Sequence, residues 1–347
     1  MTRLPPRVSV IVPARNCAAK LADSLSALLA SVDADTEIIV VDDASTDDSG
    51  VVATRLGVQV IRLRQRTGPA EARNAGARAA TGGLLWFVDA DVVVARDAFR
   101  RVTGTFDADP GLAAVFGSYD DRPPARGLVS QYRNLLHRFV HQAGRAEATT
   151  FWAGCGAIRR SVFEALGGFD ARTFPEPSIE DIELGYRLRR AGYRILLDKA
   201  LQGTHLKRWT LWSVIRTDVL QRAIPWSRLI LERRVAPDDL NLKRSQWLSV
   251  ALVALMAVLV ALAPFRVEAL ALAGAALLGV VVLNRALFVF FARARGVCFA
   301  AACVPLQLLF FLYSGLSFAY VWLTARPSRA RLAGHVAPGP VPPVNRP

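Results

Sequence analysis

Two carboxylates one residue apart, Asp89 and Asp91, close the apolar run Leu84-Leu85-Trp86-Phe87-Val88. Strand residues at i and i+2 point to the same face, so both acids meet at one strand's carboxyl edge. Like charges held that close repel unless a proton or a cation neutralises them. A hard divalent ion, Mg2+ or Mn2+, itself bound to phosphate oxygens, meets that need. A solvated turn after a strand has the same local sequence, so the neighbouring elements must decide.

Those elements alternate short β-branched runs with amphipathic stretches, the α/β pattern of a Rossmann-like, mostly parallel sheet flanked by helices. Val8 to Val12 reads as a first strand, followed by a helix from Cys17 to Ser31. Glu37 to Val41 reads as a second strand and Val58 to Leu63 as a third. Gly68-Pro69 opens a helix carrying Arg73, and Leu84 to Val88 is the fourth strand. Ligands gather at the carboxyl ends of such strands. Pro13-Ala14-Arg15, Asp42-Asp43 and Asp89-Ala90-Asp91 all fall there.

Farther on, glycines interrupt Phe151 to Ile158, as where backbone lies close to a ligand or a strand bulges. Glu180-Asp181 opens an amphipathic helix through Arg190, and acids in a first turn are ordinary dipole partners. His137 and His141 stand at i, i+4 on a helix over residues 127–142. With no third ligand in a matching context, this pair predicts a surface or membrane-facing helix and not a zinc site.

The 347-residue chain carries a net charge of +14, mostly from arginine, and a mean hydropathy of +0.28. The apolar excess collects between Trp247 and Leu323, and basic residues flank it on both sides, among them Arg228, Arg234, Lys243, Arg326, Arg329 and Arg331. That placement points to an anionic membrane surface as partner and not to nucleic acid. Trp209, Trp212, Ile215 and Val219 share one helical face, as in helices lying in a bilayer interface. Three candidate spans follow: Trp247 to Ala263, Val267 to Ala292 and Val297 to Leu323. The second contains Asn284-Arg285, which is costly in lipid unless it faces protein or snorkels. Three crossings would put the arginine-rich tail opposite the catalytic domain, so either one segment is re-entrant or the positive-inside tendency fails. The four cysteines form neither a disulfide framework nor a zinc site, and no signal peptide is visible at the N-terminus. A multi-pass protein of a bacterial-type inner membrane, with its catalytic domain cytosolic, is expected.

In order along residues 7–230, the segments Val-Ser-Val-Ile-Val-Pro-Ala-Arg-Asn (8–16), Val-Val-Asp-Asp-Ala-Ser-Thr-Asp (40–47), Gly-Pro-Ala-Glu-Ala-Arg-Asn-Ala-Gly (68–76), Phe-Val-Asp-Ala-Asp (87–91), Ala-Ile-Arg-Arg-Ser-Val-Phe-Glu-Ala-Leu-Gly-Gly-Phe-Asp (157–170) and Glu-Asp-Ile-Glu-Leu-Gly-Tyr-Arg-Leu (180–188) occur. Each is weak singly; in this order they resemble the membrane-anchored family 2 glycosyltransferases of GT-A fold. The resemblance implies a nucleotide-sugar donor, with Pro13, Arg15, Asp42 or Asp43, and Arg73 around base and ribose. It implies that Asp89 meets the ribose and Asp91 the Mg2+ or Mn2+ that bridges the diphosphate. It makes Asp181 the catalytic base, gives Trp152, Gly154 and Gly156 the acceptor side, and leaves Glu180 to orient the loop or the acceptor.

Processive membrane synthases of this family carry Gln-x-x-Arg-Trp, whereas this chain has Gln221-Arg222-Ala223-Ile224-Pro225-Trp226. Arg222 is then expected to reach the diphosphate and Trp226 the acceptor. The altered motif favours transfer of one or a few sugars to a lipid or lipid-linked acceptor of the cell envelope. The alternatives are a processive polysaccharide synthase and a non-catalytic membrane-bound nucleotide-sugar binder. A dinucleotide oxidoreductase would need Gly-x-Gly-x-x-Gly where Pro13-Ala14-Arg15-Asn16 stands. The expected division is a GT-A domain over 1–205, amphipathic interface helices over 206–245, a transmembrane region of about three helices over 246–324, and a disordered tail over 325–347.

Overall fold

The computed structural model describes residues 7–233 and 244–324. The tail expected to be disordered, and the basic residues Arg234, Lys243, Arg326, Arg329 and Arg331, lie outside the described residues.

The first half runs β1 (Val8–Ala14), α1 (Ala18–Ser31), β2 (Glu37–Asp42), α2 (Ser49–Arg55), β3 (Gln59–Arg62), α3 (Pro69–Ala79) and β4 (Leu84–Val88). Strands β1 to β4 pair in parallel in the order β3-β2-β1-β4. Period-two alternation splits each strand between two apolar layers. Val10, Val40 and Trp86 pack on one face, Ile11, Ile39 and Phe87 on the other. A parallel sheet covered on both faces requires such unbroken apolar runs. Each fully buried side chain of this kind contributes about 1.5–3 kcal/mol.

The second half continues with β5 (Val92–Val94), α4 (Ala98–Ala108), β6 (Leu112–Tyr119), α5 (Leu128–Gln142), β7 (Cys155–Arg159), α6 (Arg160–Ala165), α7 (Glu180–Arg190) and β8 (Arg194–His205). It extends the sheet as β4-β7-β6-β8-β5, so the whole is an eight-stranded mixed sheet. Strand β7 runs antiparallel to both β4 and β6. It therefore starts where β4 ends: Cys155 pairs with Val88, and the Asp89 N–H donates to the Gly154 carbonyl at 3.1 Å. Sequence periodicity cannot show this reversal, and it brings the glycine-interrupted segment to the aspartates.

After β8 come α8 (Leu211–Arg216), a π-helical turn Thr217–Ala223, α9 (Ile224–Arg233), α10 (Arg244–Leu262), α11 (Ala269–Leu283), α12 (Arg285–Arg295) and α13 (Val297–Thr324). Helices α10 and α13 are each long and apolar enough to cross a membrane. The expected continuous span Val267 to Ala292 is instead broken: α11 and α12 meet at 71°. Asn284 sits at the break. Its amide donates to the Val280 carbonyl at 2.8 Å and to Ser249 Oγ at 2.9 Å, which satisfies polar atoms that a straight apolar helix would strand. Leu287, Phe288 and Phe291 of α12 then pack on Tyr132, Leu135 and Leu136 of α5. Two further expectations fail for the same reason, a covering layer that the sequence did not announce. Helix α5 is not a surface helix, because Tyr132 to Leu136 and His141 are buried. Trp209 shares no exposed face with Trp212: it is buried at 6% exposure against α5, whereas Trp212 is 72% exposed.

Candidate active site

The carboxyl ends of β1, β2 and β4 open into a cavity of about 1180 Å³. Pro13, Arg15, Asp43, Arg73, Asp89, Asp91, Trp152, Glu180, Asp181, Arg222 and Trp226 all line it. Asp42, Gly154 and Gly156 do not.

Asp42 is 1% exposed; its carboxylate accepts the Ser45 N–H at 2.8 Å and lies 3.7 Å from Arg62. It shapes the β2 turn. Asp43 accepts from the N–H groups of Thr67 (2.6 Å) and Gly68 (2.9 Å), and so fixes the entry to α3. Gly68 has φ +87°, and an added Cβ would strike the Pro175 carbonyl, so glycine is required. With α3 set in this way, Arg73 reaches under the cleft.

Arg73 is 5% exposed and bridges two acids: Asp89 Oδ1 at 2.7 Å and Glu180 Oε1 at 2.8 Å. Burial disfavours its charge, but Asp89, Glu180 and Asp181 together outweigh that and hold the guanidinium more firmly protonated than usual. The other Glu180 oxygen accepts the Ser178 N–H at 3.0 Å, consistent with orienting this loop. Asp181 accepts N–H bonds from Ala153 at 3.1 Å and Ile182 at 2.8 Å. Burial, then the neighbouring Glu180 charge, push its carboxyl up to about 7, against the pull of Arg73 and those two N–H groups. A carboxylate with that affinity is suited to take a proton near neutrality.

Gly154 and Gly156 act indirectly. A Cβ at Gly154 would overlap the Trp152 indole, and one at Gly156 the Trp152 carbonyl and the Phe151 ring. The glycines make room for Trp152, whose ring meets Tyr119, His137 and His141 at centroid distances of 4.8, 5.6 and 5.1 Å. His137 lines the cavity, and burial lowers its proton affinity well below the usual imidazole value.

Sequence reasoning missed His205 and Lys207. Val92 of β5 pairs with His205, and the Leu206 N–H donates to the Asp91 carbonyl at 2.9 Å, so the two segments run side by side. His205-Leu206-Lys207 thus repeats the i, i+2 device of Asp89-Ala90-Asp91. The signal was present, a basic pair closing a strand, but only the antiparallel pairing makes it part of the site. His205 Nε2 lies 3.6 Å from Asp91 Oδ2, and Lys20 Nζ 3.9 Å from the same oxygen. Burial pushes the Asp91 carboxyl up, but His205, Lys20 and Lys207 outweigh it and leave it below the usual range. The Lys207 ammonium sits 4.0 Å above the Trp209 ring, and burial lowers its affinity for a proton.

The donor set can be tested for a divalent cation. Asn134 Oδ1 receives the Trp209 indole N–H at 3.3 Å, and it lies 2.7 Å from His205 Nδ1. That oxygen can only accept, so His205 Nδ1 donates and neutral His205 turns a lone pair from Nε2 towards Asp91. A protonated ring would instead donate from Nε2 to Asp91, whereas with the ring neutral a divalent cation between lone pair and carboxylate would satisfy both. Among the described residues no group of three or more His, Cys, Asp or Glu gathers for a metal. Mg2+ is commonly held by one or two carboxylates together with substrate phosphates, a mode that Asp91 fits, with the His205 nitrogen beside it.

Residues 9–167 match the profile of glycosyl transferase family 2. They are a family 2 glycosyltransferase domain. The chain is similar to the pre-mycofactocin glycosyltransferase of Mycobacterium tuberculosis, 31% identical over 199 residues, covering 54% of this chain and 40% of that protein. It is similar also to the validoxylamine A glucosyltransferase of Streptomyces hygroscopicus, 30% identical over 237 residues, with 57% and 55% covered. The chain thus spans about half the length of the curated relatives it matches. Among solved structures, a mannosyltransferase from Pyrobaculum calidifontis in complex with GDP-Man and Mn2+ superposes with a TM-score of 0.57 at 22% identity, covering 92% of this chain and 88% of that one. The mixed sheet is accordingly GT-A-like, followed by the two apolar helices α10 and α13.

Proposed function

We propose that this chain is an inverting, metal-dependent hexosyltransferase that moves a sugar from a nucleotide-diphosphate sugar to a lipid or lipid-linked saccharide at the inner face of a bacterial-type cell membrane. In this reading residues 1–205 are the catalytic domain, 206–245 lie at the interface, and 246–324 anchor the chain. The observation that carries it is one cavity lined both by Asp89, Asp91 and His205 and by Asp181. The donors for a diphosphate and a base tuned near neutrality then face one reacting centre.

Pro13, Arg15 and Asp43 flank the base and ribose, and Arg73 holds Asp89 in place for the ribose. Asp91 and His205 would hold Mg2+ or Mn2+, which when bound supplies positive charge to the departing diphosphate. The Pyrobaculum protein, solved with GDP-Man and Mn2+, supports both the donor class and the ion. Asp181 takes the proton of the acceptor hydroxyl as its oxygen attacks the anomeric carbon through an oxocarbenium-like state. Attack opposite the leaving group inverts the anomeric centre. Trp152 walls the acceptor side, while Arg222 and Trp226 border it from the helices that follow.

Three expected results bear on this reading. Because the base must be unprotonated, kcat/KM should rise with pH through about 7 and level off above it. A profile flat across neutrality would remove Asp181 from that role. Asp91→Ala and His205→Ala should each weaken nucleoside diphosphate binding by about 10- to 100-fold with Mg2+ or Mn2+ present, and far less in chelator. Equal losses in calorimetric titrations with and without the ion would rule out the clamp.

A further inference from the structure

Most cations on the cavity wall already have an acid. Lys20, Arg66, Arg73, Arg133 and Arg222 each face a carboxylate within ion-pair reach, and Arg15 donates to the Asp43 carbonyl at 3.3 Å. Lys207 lines the same cavity, yet among the described residues no carboxylate reaches its ammonium. What it has instead is the Trp209 ring, with Nζ 4.0 Å above the centroid. Burial lowers the proton affinity of Lys207, while Asp91 and Asp89 pull the other way. A desolvated cation without a counter-charge favours an anionic ligand.

The support under Lys207 is fixed before any ligand arrives. The Trp209 N–H donates to Ser130 Oγ at 2.7 Å, and that hydroxyl donates to the Trp209 carbonyl at 3.0 Å. The Asn134 amide, which already accepts the Trp209 indole N–H, donates to the Lys207 carbonyl at 3.3 Å. Helix α5 thus holds both the main chain of Lys207 and the ring beneath its ammonium. The neighbouring Leu206 N–H is bonded to the Asp91 carbonyl, which brings the segment alongside the aspartates. A charge placed in this way needs little reorganisation when a ligand comes.

The remaining charges identify the anion. Asp89 is paired with Arg73, and Asp91 faces Lys20 and His205. The diester charge of a nucleotide sugar is present before reaction begins. When the bond between anomeric carbon and β-phosphate oxygen breaks, the oxygen keeps the electron pair and a further negative charge appears. A cation held ready for charge that develops only in the transition state lowers the barrier more than it tightens substrate binding.

Resting on the transferase reading above, we infer that Lys207 is a catalytic residue whose ammonium donates to the departing β-phosphate and stabilises the diphosphate as it leaves. Lys207 keeps its proton throughout. The acceptor oxygen forms the new bond to the anomeric carbon, and the acceptor's proton passes to Asp181.

The test uses the full chain in nanodiscs with Mg2+ and calorimetric titration of UDP, GDP, dTDP and ADP against UDP-glucose, GDP-mannose, dTDP-glucose and ADP-glucose. For the pair that the wild type binds, Lys207→Met and Lys207→Gln should each weaken the diphosphate by about tenfold or more and leave the nucleotide sugar within about threefold. Release of diphosphate from the nucleotide sugar, to water or to added membrane lipid, should slow by about 10²-fold, and Lys207→Arg should recover part of both losses. Lys20→Met removes the same charge nearby, and Lys20 acts on Asp91 more strongly than Lys207 does, so it should weaken both ligands alike. Equal losses for the two ligands in both Lys207 variants, with a lower thermal midpoint, would make Lys207 a support for Trp209 and overturn the inference. An unchanged rate of diphosphate release would overturn it as well. A wild-type chain that binds none of the eight nucleotides would defeat the transferase reading itself.

Discussion

Asp181→Asn should lower kcat by about 10²–10⁴-fold while the affinity for nucleoside diphosphate stays within about twofold. Asparagine keeps the shape but has one acceptor oxygen where Asp181 uses two, so it keeps only one of the N–H bonds from Ala153 and Ile182. It also loses the proton acceptor. The carboxyl at this place is held up to about 7 by burial and by Glu180, an environment that disfavours its charge. The stability of the variant should therefore improve relative to wild type as pH rises, offset by the one N–H bond that it loses. With the native affinity raised, Asp181 opposes folding increasingly as pH climbs from its unfolded value through about 7, and the gain should vanish at acid pH. Loss of nucleotide binding together with transfer would make Asp181 a structural residue instead.

Arg73→Met should be the most damaging single change to the fold. It removes the one guanidinium between Asp89 and Glu180 and leaves Glu180 buried beside Asp181. Breaking one partner of a buried ion pair costs about 3–5 kcal/mol, because the remaining charge stays desolvated and unpaired. Glu180→Gln in the same background should recover part of the loss, so a double-mutant cycle in urea should show coupling of about 1 kcal/mol or more. Additive effects would mean that the pair is a bystander. Arg73 also lowers the proton affinity of Asp181, so in the variant the rising limb of the pH–rate profile should move to higher pH.

The parallel half of the sheet was legible because its strands are continuous apolar runs with turn residues between them, and its ligand-bearing ends follow from topology alone. The aspartates at 89, 91 and 181 were legible by motif. Three things were not. Period-two patterning does not say which way a strand runs, so the antiparallel β7 that carries Trp152 to the acids was invisible. His205 and Lys207 gain meaning only from pairing with β5. The burial of α5 under α12 comes from the bend at Asn284, and hydropathy averages it into one long span. Asp42 and Asp43 show the converse limit, since adjacent acids of one motif went to a turn and to the cavity wall.

The proposed activity rests on a single base acting opposite a diphosphate leaving group, and proton NMR of the first product formed from an α-linked nucleotide sugar tests it most directly. A β-configured glycoside is the expected result. An α-configured product would contradict single displacement at Asp181, as would donor that binds but is never transferred to any acceptor in the lipid phase.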